Sequence, residues 1–449
     1  MFVKWNNDVF IRCVREDVLI CRPRIGTCLI MHEAMDFIQE ISRDWKDADE
    51  IKKNLSKKFN VTIDQIGEDL NLVVAELREQ GLIVESENFE MEKPASIYNL
   101  HPELSEDFTP LADFYIGNNI PSELHIDITD ACTERCVHCY IPREGNSYLS
   151  YDYIDKVLQE FRDLQGLTVH LTGGECMLHP DFERICELCK SLNINIILFS
   201  NLTLCDTERI AFLSKLRPQF INVSLYSMDK EIHDAITGVR GSWKITIDAI
   251  KKCYDEGIPC RIAAPVLKQN KNSFRELKNF ADNYHMHLIP SVDIIAQSDH
   301  CCLNLQNACS SDDLLKVLLA DRDIFDKGWS AEMPSSDDKV CGIGVGRLYL
   351  NAKGKYYPCD SMHNYELGDV RDDTIGDVWS GAKLNYLRSL KNRDFAMCVQ
   401  CDRRPWCKVC LAENFNATSN LFTPPKGHCN CANVIKEVYG GKKNVITAI

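Results

Sequence analysis

Residues 124–139 read LHIDITDACTERCVHC and join a strand pattern to a cluster of three cysteines. The apolar segment Leu124–Thr129 predicts a strand. The loop after it places Cys132, Cys136 and Cys139 in a Cys-x3-Cys-x2-Cys spacing. Three thiolates on one short loop can bind three irons of a [4Fe–4S] cluster and leave the fourth iron open for chemistry. For the loop alone, a three-cysteine zinc site or thiols without metal remain alternatives.

Strand and helix patterns alternate from Glu123 to about residue 325. The other predicted strands are Leu167–Leu171, Ile194–Ser200, Phe220–Tyr226, Arg261–Leu267 and His287–Asp293. This alternation predicts a parallel sheet with helices outside it. Because six units are two short of a closed TIM barrel, the expected fold class is α/β, with an open, partial (β/α)6 TIM-like barrel. Its chemistry should lie at the carboxyl ends of the strands.

A second motif, LTGGEC, follows the second predicted strand at residues 171–176. Gly173 and Gly174 permit close approach of the backbone to a ligand, and the Glu175 carboxylate can accept a hydrogen bond from an ammonium group. A simple tight turn is the alternative for these three residues alone. They come one strand–helix unit after the cysteine loop, so we expect both motifs at the same face of the barrel.

The two motifs together resemble the radical S-adenosylmethionine (SAM) superfamily, over roughly residues 122–325. The resemblance implies that Cys132, Cys136 and Cys139 hold a [4Fe–4S] cluster whose fourth iron chelates the methionine end of SAM. It also implies three groups of SAM contacts: Tyr140 near the adenine; Gly173, Gly174 and Glu175 at the methionine end; and Ser200, Asn201 and Ser224 near the ribose and methionine.

Composition limits the class of protein. The chain has 449 residues, enough for two or three domains, with 45% hydrophobic and 26% charged residues. A net charge of −15 argues against nucleic acid as a partner. No apolar run is long enough to span a membrane, and the first residues lack a secretory signal. The 23 cysteines therefore favour metal ligands in a reducing compartment. The low-potential, open cluster that the resemblance implies would be sensitive to oxygen, so we expect a cytoplasmic enzyme that works anaerobically.

A second cysteine array follows the predicted barrel, in residues 326–449. Its members are Cys341, Cys359, Cys398, Cys401, Cys407, Cys410, Cys429 and Cys431. Paired Cys-x2-Cys spacings alone are typical of a zinc ribbon. Behind a radical SAM core, the array resembles the SPASM domain, and that resemblance implies two auxiliary [4Fe–4S] clusters, three clusters in all.

The SPASM resemblance implies an outer cluster bound by Cys398, Cys401, Cys407 and Cys429, and an inner cluster bound by Cys341, Cys359 and Cys410. The inner set is one ligand short. The candidates for that position are Cys431, Cys301, Cys302, Cys309 and a thiolate of the substrate. Two residues separate Cys407 from Cys410, where the family often has three. The assignment of Cys410, and the choice between Cys429 and Cys431, therefore stay open.

The first 88 residues predict a separate, winged-helix-like domain, and residues 89–121 a linker. Strand patterns at Val9–Val14 and Val18–Arg22 flank a turn, and helical patterns follow, the second from about Asp64. The module resembles the recognition element of enzymes that modify ribosomally made peptides. That resemblance implies that these strands frame a surface where a leader peptide adds as a further strand. A packing or dimerisation domain is the alternative.

The three modules together resemble the maturases that build thioethers in sactipeptides and ranthipeptides. The implied reaction begins when a 5′-deoxyadenosyl radical from SAM abstracts a hydrogen from a C–H of the precursor peptide. A peptide cysteine sulfur then joins that carbon. One C–S bond removes two hydrogens, so one electron remains after abstraction, and the auxiliary clusters are suitable acceptors. A flavodoxin or ferredoxin is the implied reductant.

Other products and other classes of protein fit the same parts. The enzyme alternatives are a carbon–carbon crosslink, oxidation of a side chain to an aldehyde, and epimerisation. Epimerisation needs a hydrogen donor, and Cys176 is the candidate thiol, although a buried apolar role is the simpler interpretation. The alternatives without catalysis are a zinc-binding peptide chaperone and an electron carrier.

Overall fold

The computed structural model describes residues 2–32, 34–86, 109–142 and 146–441. Its N-terminal part contains two small antiparallel sheets. The elements are β1 (Phe2–Trp5), β2 (Phe10–Val14), β3 (Asp17–Arg22), β4 (Thr27–His32), α1 (Met35–Glu40), β5 (Lys46–Asp47), α2 (Ala48–Phe59), α3 (Ile63–Glu79) and β6 (Ile83–Ser86). The sheets have the strand orders β5-β1-β6 and β2-β3-β4.

The predicted strand pair and the predicted second helix of this part are both present. β2 and β3 pair around a two-residue turn, with Val14 opposite Asp17. α3 starts one residue before the predicted Asp64, after a capping box made by Thr62 and Gln65. The apolar face of α3 packs in one core with Val18 and other residues of β3. β4 and α2 were not predicted from the sequence.

A helix, α4 (Thr109–Asn118), occupies the end of the predicted linker. Residues 89–108 of that linker lie outside the described residues. Phe114 and Tyr115 of α4 form a small apolar cluster with Leu19 and Cys21 of β3 and with Leu167. Leu167 directly precedes a strand of the barrel. The helix therefore connects the N-terminal part to the barrel by packing as well as by sequence.

All six predicted barrel strands are present and parallel. The elements are β7 (Glu123–Thr129), α5 (Tyr151–Asp163), β8 (Thr168–Gly173), α6 (Phe182–Ser191), β9 (Asn195–Ser200), α7 (Thr207–Leu216), β10 (Phe220–Ser224), α8 (Lys230–Thr237), α9 (Ser242–Asp255), β11 (Cys260–Pro265), α10 (Phe274–Asn283), β12 (His287–Ser291), α11 (Ser311–Ala320) and α12 (Arg322–Phe325). The strands lie side by side in chain order, with helices packed on their apolar side. The predicted partial barrel is confirmed.

The alternation of residues along β7 shows how the barrel is built. Leu124, Ile126 and Ile128 are buried in the core that includes the helix residues. The intervening residues face the other way: His125 stacks on His170 of β8 with ring centroids 3.9 Å apart, and Asp127 accepts a hydrogen bond from the hydroxyl of Tyr349. One side of the sheet thus holds the helices, and the other holds a buried polar interior.

The C-terminal part extends the barrel sheet instead of standing apart from it. Its elements are β13 (Arg347–Leu350), β14 (Lys355–Tyr357), β15 (Gly368–Asp369), α13 (Ile375–Ser380), α14 (Ala382–Ser389), α15 (Leu411–Thr418) and α16 (Lys426–Tyr439). β13 pairs in parallel with β7, so the sheet has nine strands and its first barrel strand is not an edge. Helices α13 and α14 were not predicted from the sequence, because they span six and eight residues, too few to show a period.

The N-terminal part contacts the loops that precede the barrel strands. Arg12 is fully buried and donates hydrogen bonds of 2.7 Å to the carbonyl oxygens of Gly166 and Asn193. The backbone N–H of Cys13 donates to the side chain of Gln165 at 3.0 Å. These loops enter β8 and β9, whereas the cysteine loop leaves β7. The N-terminal part and the cysteine loop therefore lie at opposite ends of the barrel strands.

Candidate active site

The predicted cysteine loop leaves the carboxyl end of β7 without regular secondary structure. Two backbone hydrogen bonds attach it to the end of α8, from Arg135 to the carbonyl of Thr237 (2.7 Å) and from Val137 to that of Ile236 (2.9 Å). The loop forms one wall of a cavity of about 530 Å³. A cavity of this size suits a cofactor-sized ligand.

Most of the residues predicted to bind the cluster or SAM line this one cavity. They are Cys132, Cys136, Cys139, Tyr140, Gly173, Gly174, Ser200, Asn201 and Ser224. They come from the ends of four strands, β7 to β10, and meet at the carboxyl end of the sheet, as the parallel topology requires. The structure thus brings together residues that are up to 92 positions apart in the chain.

Glu175 is the exception, because its side chain is fully buried and does not line the cavity. Its carboxylate accepts hydrogen bonds from the Ser200 hydroxyl (2.9 and 3.0 Å) and from the backbone N–H groups of Asn201 (2.8 Å) and Met177 (3.1 Å). Burial raises the pKa of this carboxyl, and these donors oppose the shift. Glu175 ties the end of β8 to the end of β9, and its side chain does not line the cavity with the two glycines. Its contact with SAM stays a prediction.

Gly173 and Gly174 are needed for contact with the neighbouring backbone. A Cβ on Gly173, whose φ is +124°, would lie 2.0 Å from the carbonyl oxygen of Thr129. A Cβ on Gly174 would lie 2.2 Å from the carbonyl oxygen of Ala131. The backbone N–H groups of Gly174 and Glu175 donate to these same two carbonyls, at 2.9 and 2.8 Å. The glycines therefore lock the start of the cysteine loop onto β8.

Two polar groups that were not predicted from the sequence lie beside Cys136. Its Sγ is 3.4 Å from a carboxylate oxygen of Glu134 and 3.7 Å from the hydroxyl of Tyr226, and all three residues line the cavity. Burial raises the pKa of Glu134 to about 7 and that of Cys132 to about 11. Iron binding would favour the thiolates instead. Thiols that face one cavity, in a loop fixed by backbone contacts, are a donor set that fits an iron–sulfur cluster.

Another cavity residue that was missed, Asn222, was recognisable in the sequence. It lies between Ile221 and Val223 in β10, and a polar residue at an alternate position of a buried strand points to the interior of the barrel. Glu134 could also have been identified from the sequence, because it is an acidic residue inside the cysteine loop itself. For Tyr226, the sequence offered only its position at the end of a predicted strand.

Tyr140 connects the cavity to the C-terminal part. Its ring meets that of His363 edge to face at 6.0 Å, and His363 stacks on Tyr349 at 4.6 Å. Tyr349 donates to Asp127 inside the barrel, and burial raises the pKa of that carboxyl to about 7. Tyr140 of the cavity wall is thus supported from behind by residues of β13 and of the loop after β14.

The thiols of the second cysteine array influence one another electrostatically in two groups. Burial raises the pKa of Cys398, and the neighbouring thiols Cys407, Cys429 and Cys401 raise it further. In the other set, the pKa of Cys410 is raised by burial and by Cys341, and that of Cys359 by burial and by Cys410. The assignment of these cysteines to an outer and an inner cluster stays a prediction, and so does the choice between Cys429 and Cys431.

The candidates for a fourth inner ligand lie elsewhere or have other neighbours. Cys431 has Asp293, Glu413, Cys309 and also Cys407 of the proposed outer set as electrostatic neighbours, and Cys302 is exposed.

Cys176, the candidate hydrogen donor for epimerisation, is fully buried. Its Sγ lies 3.3 Å from the carbonyl oxygen of Phe199, and it does not line the cavity. None of the 23 cysteines, all of which lie within the described ranges, forms a disulfide.

Two groups of three side chains in the described ranges have ligand atoms close enough to hold a metal ion. They are Glu123 with His125 and His170, and Asp293 with Glu413 and His428.

A comparison with known proteins identifies the family. A model of the radical SAM superfamily matches residues 126–281, and a model of the SPASM iron–sulfur cluster-binding domain matches residues 341–410. The antilisterial bacteriocin subtilosin biosynthesis protein AlbA of Bacillus subtilis (strain 168) is 31% identical over 324 residues, which are 67% of this chain and 70% of AlbA. The chain belongs to the radical SAM family with a SPASM domain. SAM and [4Fe–4S] clusters, the predicted cofactors, are those of this family.

Two further relatives of this radical SAM protein extend the comparison. The sporulation killing factor maturation protein SkfB of Bacillus subtilis (strain 168) is 25% identical over 288 residues, 61% of this chain and 68% of SkfB. SuiB of Streptococcus suis, solved with its precursor peptide SuiA, superposes with a TM-score of 0.59 at 18% identity, over 95% of this chain and 99% of SuiB. SuiB bound to S-adenosylmethionine gives 0.61 at 16% identity. SuiB thus shares the fold across nearly the whole length.

Among the described residues, every helix is too short or too polar to span a membrane.

Proposed function

We propose that this radical SAM enzyme matures a ribosomally synthesised precursor peptide by forming thioethers between cysteine sulfurs and carbons of the same peptide. AlbA and SkfB are named for the biosynthesis of a bacteriocin and the maturation of a killing factor, and SuiB was solved with a precursor peptide. These relatives support a peptide substrate. The low-potential cluster implied by the cysteine loop favours anaerobic work in the cytoplasm.

The observation that carries the proposal is the SPASM cysteine array, in which Cys398 and Cys410 interact with different groups of thiols. A thioether forms when one C–H and one S–H are lost and one C–S bond is made. The hydrogen atom removed from carbon leaves one electron and one proton to be taken away. Two auxiliary clusters held by these cysteines would supply acceptors for that electron, whereas a reaction without net oxidation has no need of them.

The residues that line the cavity would have two separate binding roles, one toward the cluster and one toward SAM. Cys132, Cys136 and Cys139 would hold the SAM-binding cluster, which together with bound SAM supplies the 5′-deoxyadenosyl radical that abstracts hydrogen. The remaining predicted contacts on the cavity wall, Tyr140, Gly173, Gly174, Ser200, Asn201 and Ser224, would orient SAM. Glu175 acts indirectly, because it fixes Ser200 and the backbone of Asn201 where they face the cavity.

Residues 1–88 would bind the leader peptide, and the structure favours the edge of β4 for this role. The surface expected from the sequence lies on Val9–Val14 and Val18–Arg22. However, β3 is the central strand, and the outer edge of β2 faces the barrel, since Cys13 donates to Gln165. β4 pairs with β3 alone among the described strands. Its outer edge is therefore the place for strand addition.

Epimerisation through Cys176 has little support. A hydrogen donor must reach a carbon radical of the substrate, but Cys176 is enclosed between Glu175 and β9 and is not part of the cavity wall. Its buried role agrees with the simpler interpretation of this cysteine. A carbon–carbon crosslink shares the oxidative balance and is decided by the product.

The test is anaerobic turnover of a cysteine-containing precursor peptide with SAM and reductant, followed by alkylation of the remaining thiols. Thioether formation predicts one fewer alkylated thiol for each bond formed. The variant with Cys132, Cys136 and Cys139 all changed to alanine is the matched control and should leave every thiol alkylated. A product with its thiols intact would contradict the proposal.

A further inference from the structure

Two histidines and a glutamate meet inside the barrel, at the amino-terminal ends of its first two strands. Glu123 and His125 lie at alternate positions of β7, and His170 of β8 stands opposite His125 in the pairing register. The two imidazole rings stack with centroids 3.9 Å apart, and Nε2 of His170 lies 3.4 Å from Oε2 of Glu123. The possible ligand atoms of the three side chains all lie within 4.8 Å of one another.

Three ring nitrogens of this group have no hydrogen-bond partner within the described residues. They are Nε2 of His125 and both nitrogens of His170. The two residues are only 3% and 6% exposed, so water does not readily replace the missing partners. A buried polar atom without a partner is rare in folded proteins, because its desolvation is not compensated. A metal ion bound by one nitrogen of each ring would supply that compensation.

The carboxylate of Glu123 can bind a metal while it keeps its present partner. Arg347 of β13 donates to Oε2 from Nε at 2.8 Å and from Nη2 at 2.6 Å, which leaves Oε1 for a metal. Carboxylates that bind metals are commonly held by a further donor in this way. The side chain of Glu123 is 34% exposed and that of Arg347 45%. An ion can therefore enter from solvent, and water screens its repulsion from the guanidinium.

The group lies in a layer of the barrel below the SAM cavity. His170 is paired with Ile197 of β9, and Phe199 stands two residues nearer the carboxyl end of that strand. Phe199 lines the cavity, and its ring centroid is 6.0 Å from that of His125 and 5.9 Å from that of His170. Neither histidine lines the cavity. Phe199 thus separates the group from the proposed SAM site.

We propose that Glu123, His125 and His170 bind a divalent transition-metal cation, for which zinc is the best match. Two imidazoles and one carboxylate, with a fourth position for water, are a donor set of tetrahedral zinc sites. Zinc bonds of about 2.1 Å hold such ligand atoms about 3.4 Å apart, so each side chain needs to move inward by less than about 1 Å. The ion joins β7 to β8 at the end of the barrel opposite the cysteine loop.

The test is an anaerobic zinc titration of the tag-free holoenzyme, with zinc, iron and sulfide measured after unbound zinc is removed. The wild type should retain zinc at unchanged iron and sulfide content. His125→Phe and His170→Phe keep a flat ring in the stack without a ligand nitrogen. Each should weaken zinc binding by more than about 100-fold, because loss of a group that only orients a ligand already costs about 10–100-fold. His287→Phe, at an exposed position at the start of β12, is the matched control and should retain zinc.

X-ray absorption at the zinc edge identifies the neighbours of the bound ion without interference from iron. Nitrogen and oxygen neighbours with imidazole scattering are expected. Sulfur neighbours would place the zinc on cysteine thiols and would overturn the proposal, as would a wild type that retains no zinc at full iron content. If the phenylalanine variants do not fold, Glu123→Gln at its partly exposed position tests the same site. It should weaken zinc binding at an unchanged circular dichroism spectrum, and an unchanged zinc affinity would overturn the proposal.

Discussion

Replacing Glu175 by alanine removes the acceptor that ties β8 to β9 behind the cavity. The backbone N–H groups of Asn201 and Met177 then lose their partner inside the protein, while the Ser200 hydroxyl can rotate to another acceptor. Each buried N–H without an acceptor costs about 1–3 kcal/mol, so Glu175→Ala should lower the free energy of unfolding by about 2–6 kcal/mol. Glu175→Gln keeps one oxygen and should cost about half as much.

Urea unfolding of the barrel, followed by circular dichroism, measures this loss, and equilibrium binding of SAM to the reconstituted enzyme measures affinity. Glu187→Ala, at an exposed position of α6, is the matched control and should change stability by less than about 0.5 kcal/mol. If Glu175 instead acted mainly as a direct SAM ligand, Glu175→Gln would weaken SAM binding at unchanged stability. That result would refute the structural role of the Glu175 carboxylate.

Three further substitutions test other parts of the structure. Gly174→Ala, whose Cβ would meet the Ala131 carbonyl, should reduce iron at the SAM-binding site, whereas Gly67→Ala, with open space around it, should leave iron content unchanged. Ile30→Pro should abolish leader binding, measured by fluorescence anisotropy, yet leave SAM cleavage without peptide intact. Proline would remove the N–H of Ile30, which points to the outer edge of β4. That direction follows from the pairing register, because the N–H of Cys13 points away from β3 and backbone N–H groups alternate in direction across β2, β3 and β4. Arg12→Ala leaves two buried carbonyls without a donor and should make the N-terminal part unfold separately, seen as a second calorimetric transition.

The barrel and its cavity were largely predictable because their signals are local. Each strand is a short apolar run, and parallel topology then gathers the strand ends at one edge, which is why nine predicted residues line one cavity. The side-chain direction of Glu175 was not predictable, because it depends on donors of β9 that lie 25 or more positions away. The same applies to β13, whose pairing with β7 joins residues more than 200 positions apart.

The C-terminal part was predictable in its cysteines but not in its helices. Short elements such as α13 are held by caps and by packing on the barrel, so their periodicity is too brief to recognise. The contacts of His428 were not predictable for a related reason. His428 stands next to Cys429 in the sequence, yet its ring contacts Cys407 and Glu413, which lie 21 and 15 positions earlier in the chain.

The central claim is that the product contains a new bond from sulfur to carbon. The most direct test is high-resolution mass spectrometry of the precursor peptide after anaerobic turnover in heavy water. Thioether formation predicts a loss of two hydrogens for each bond, with no deuterium on carbon and with fragmentation that places the link between a cysteine and its acceptor residue. A peptide with no net loss of hydrogen but one deuterium gained on carbon would show epimerisation and would contradict the claim.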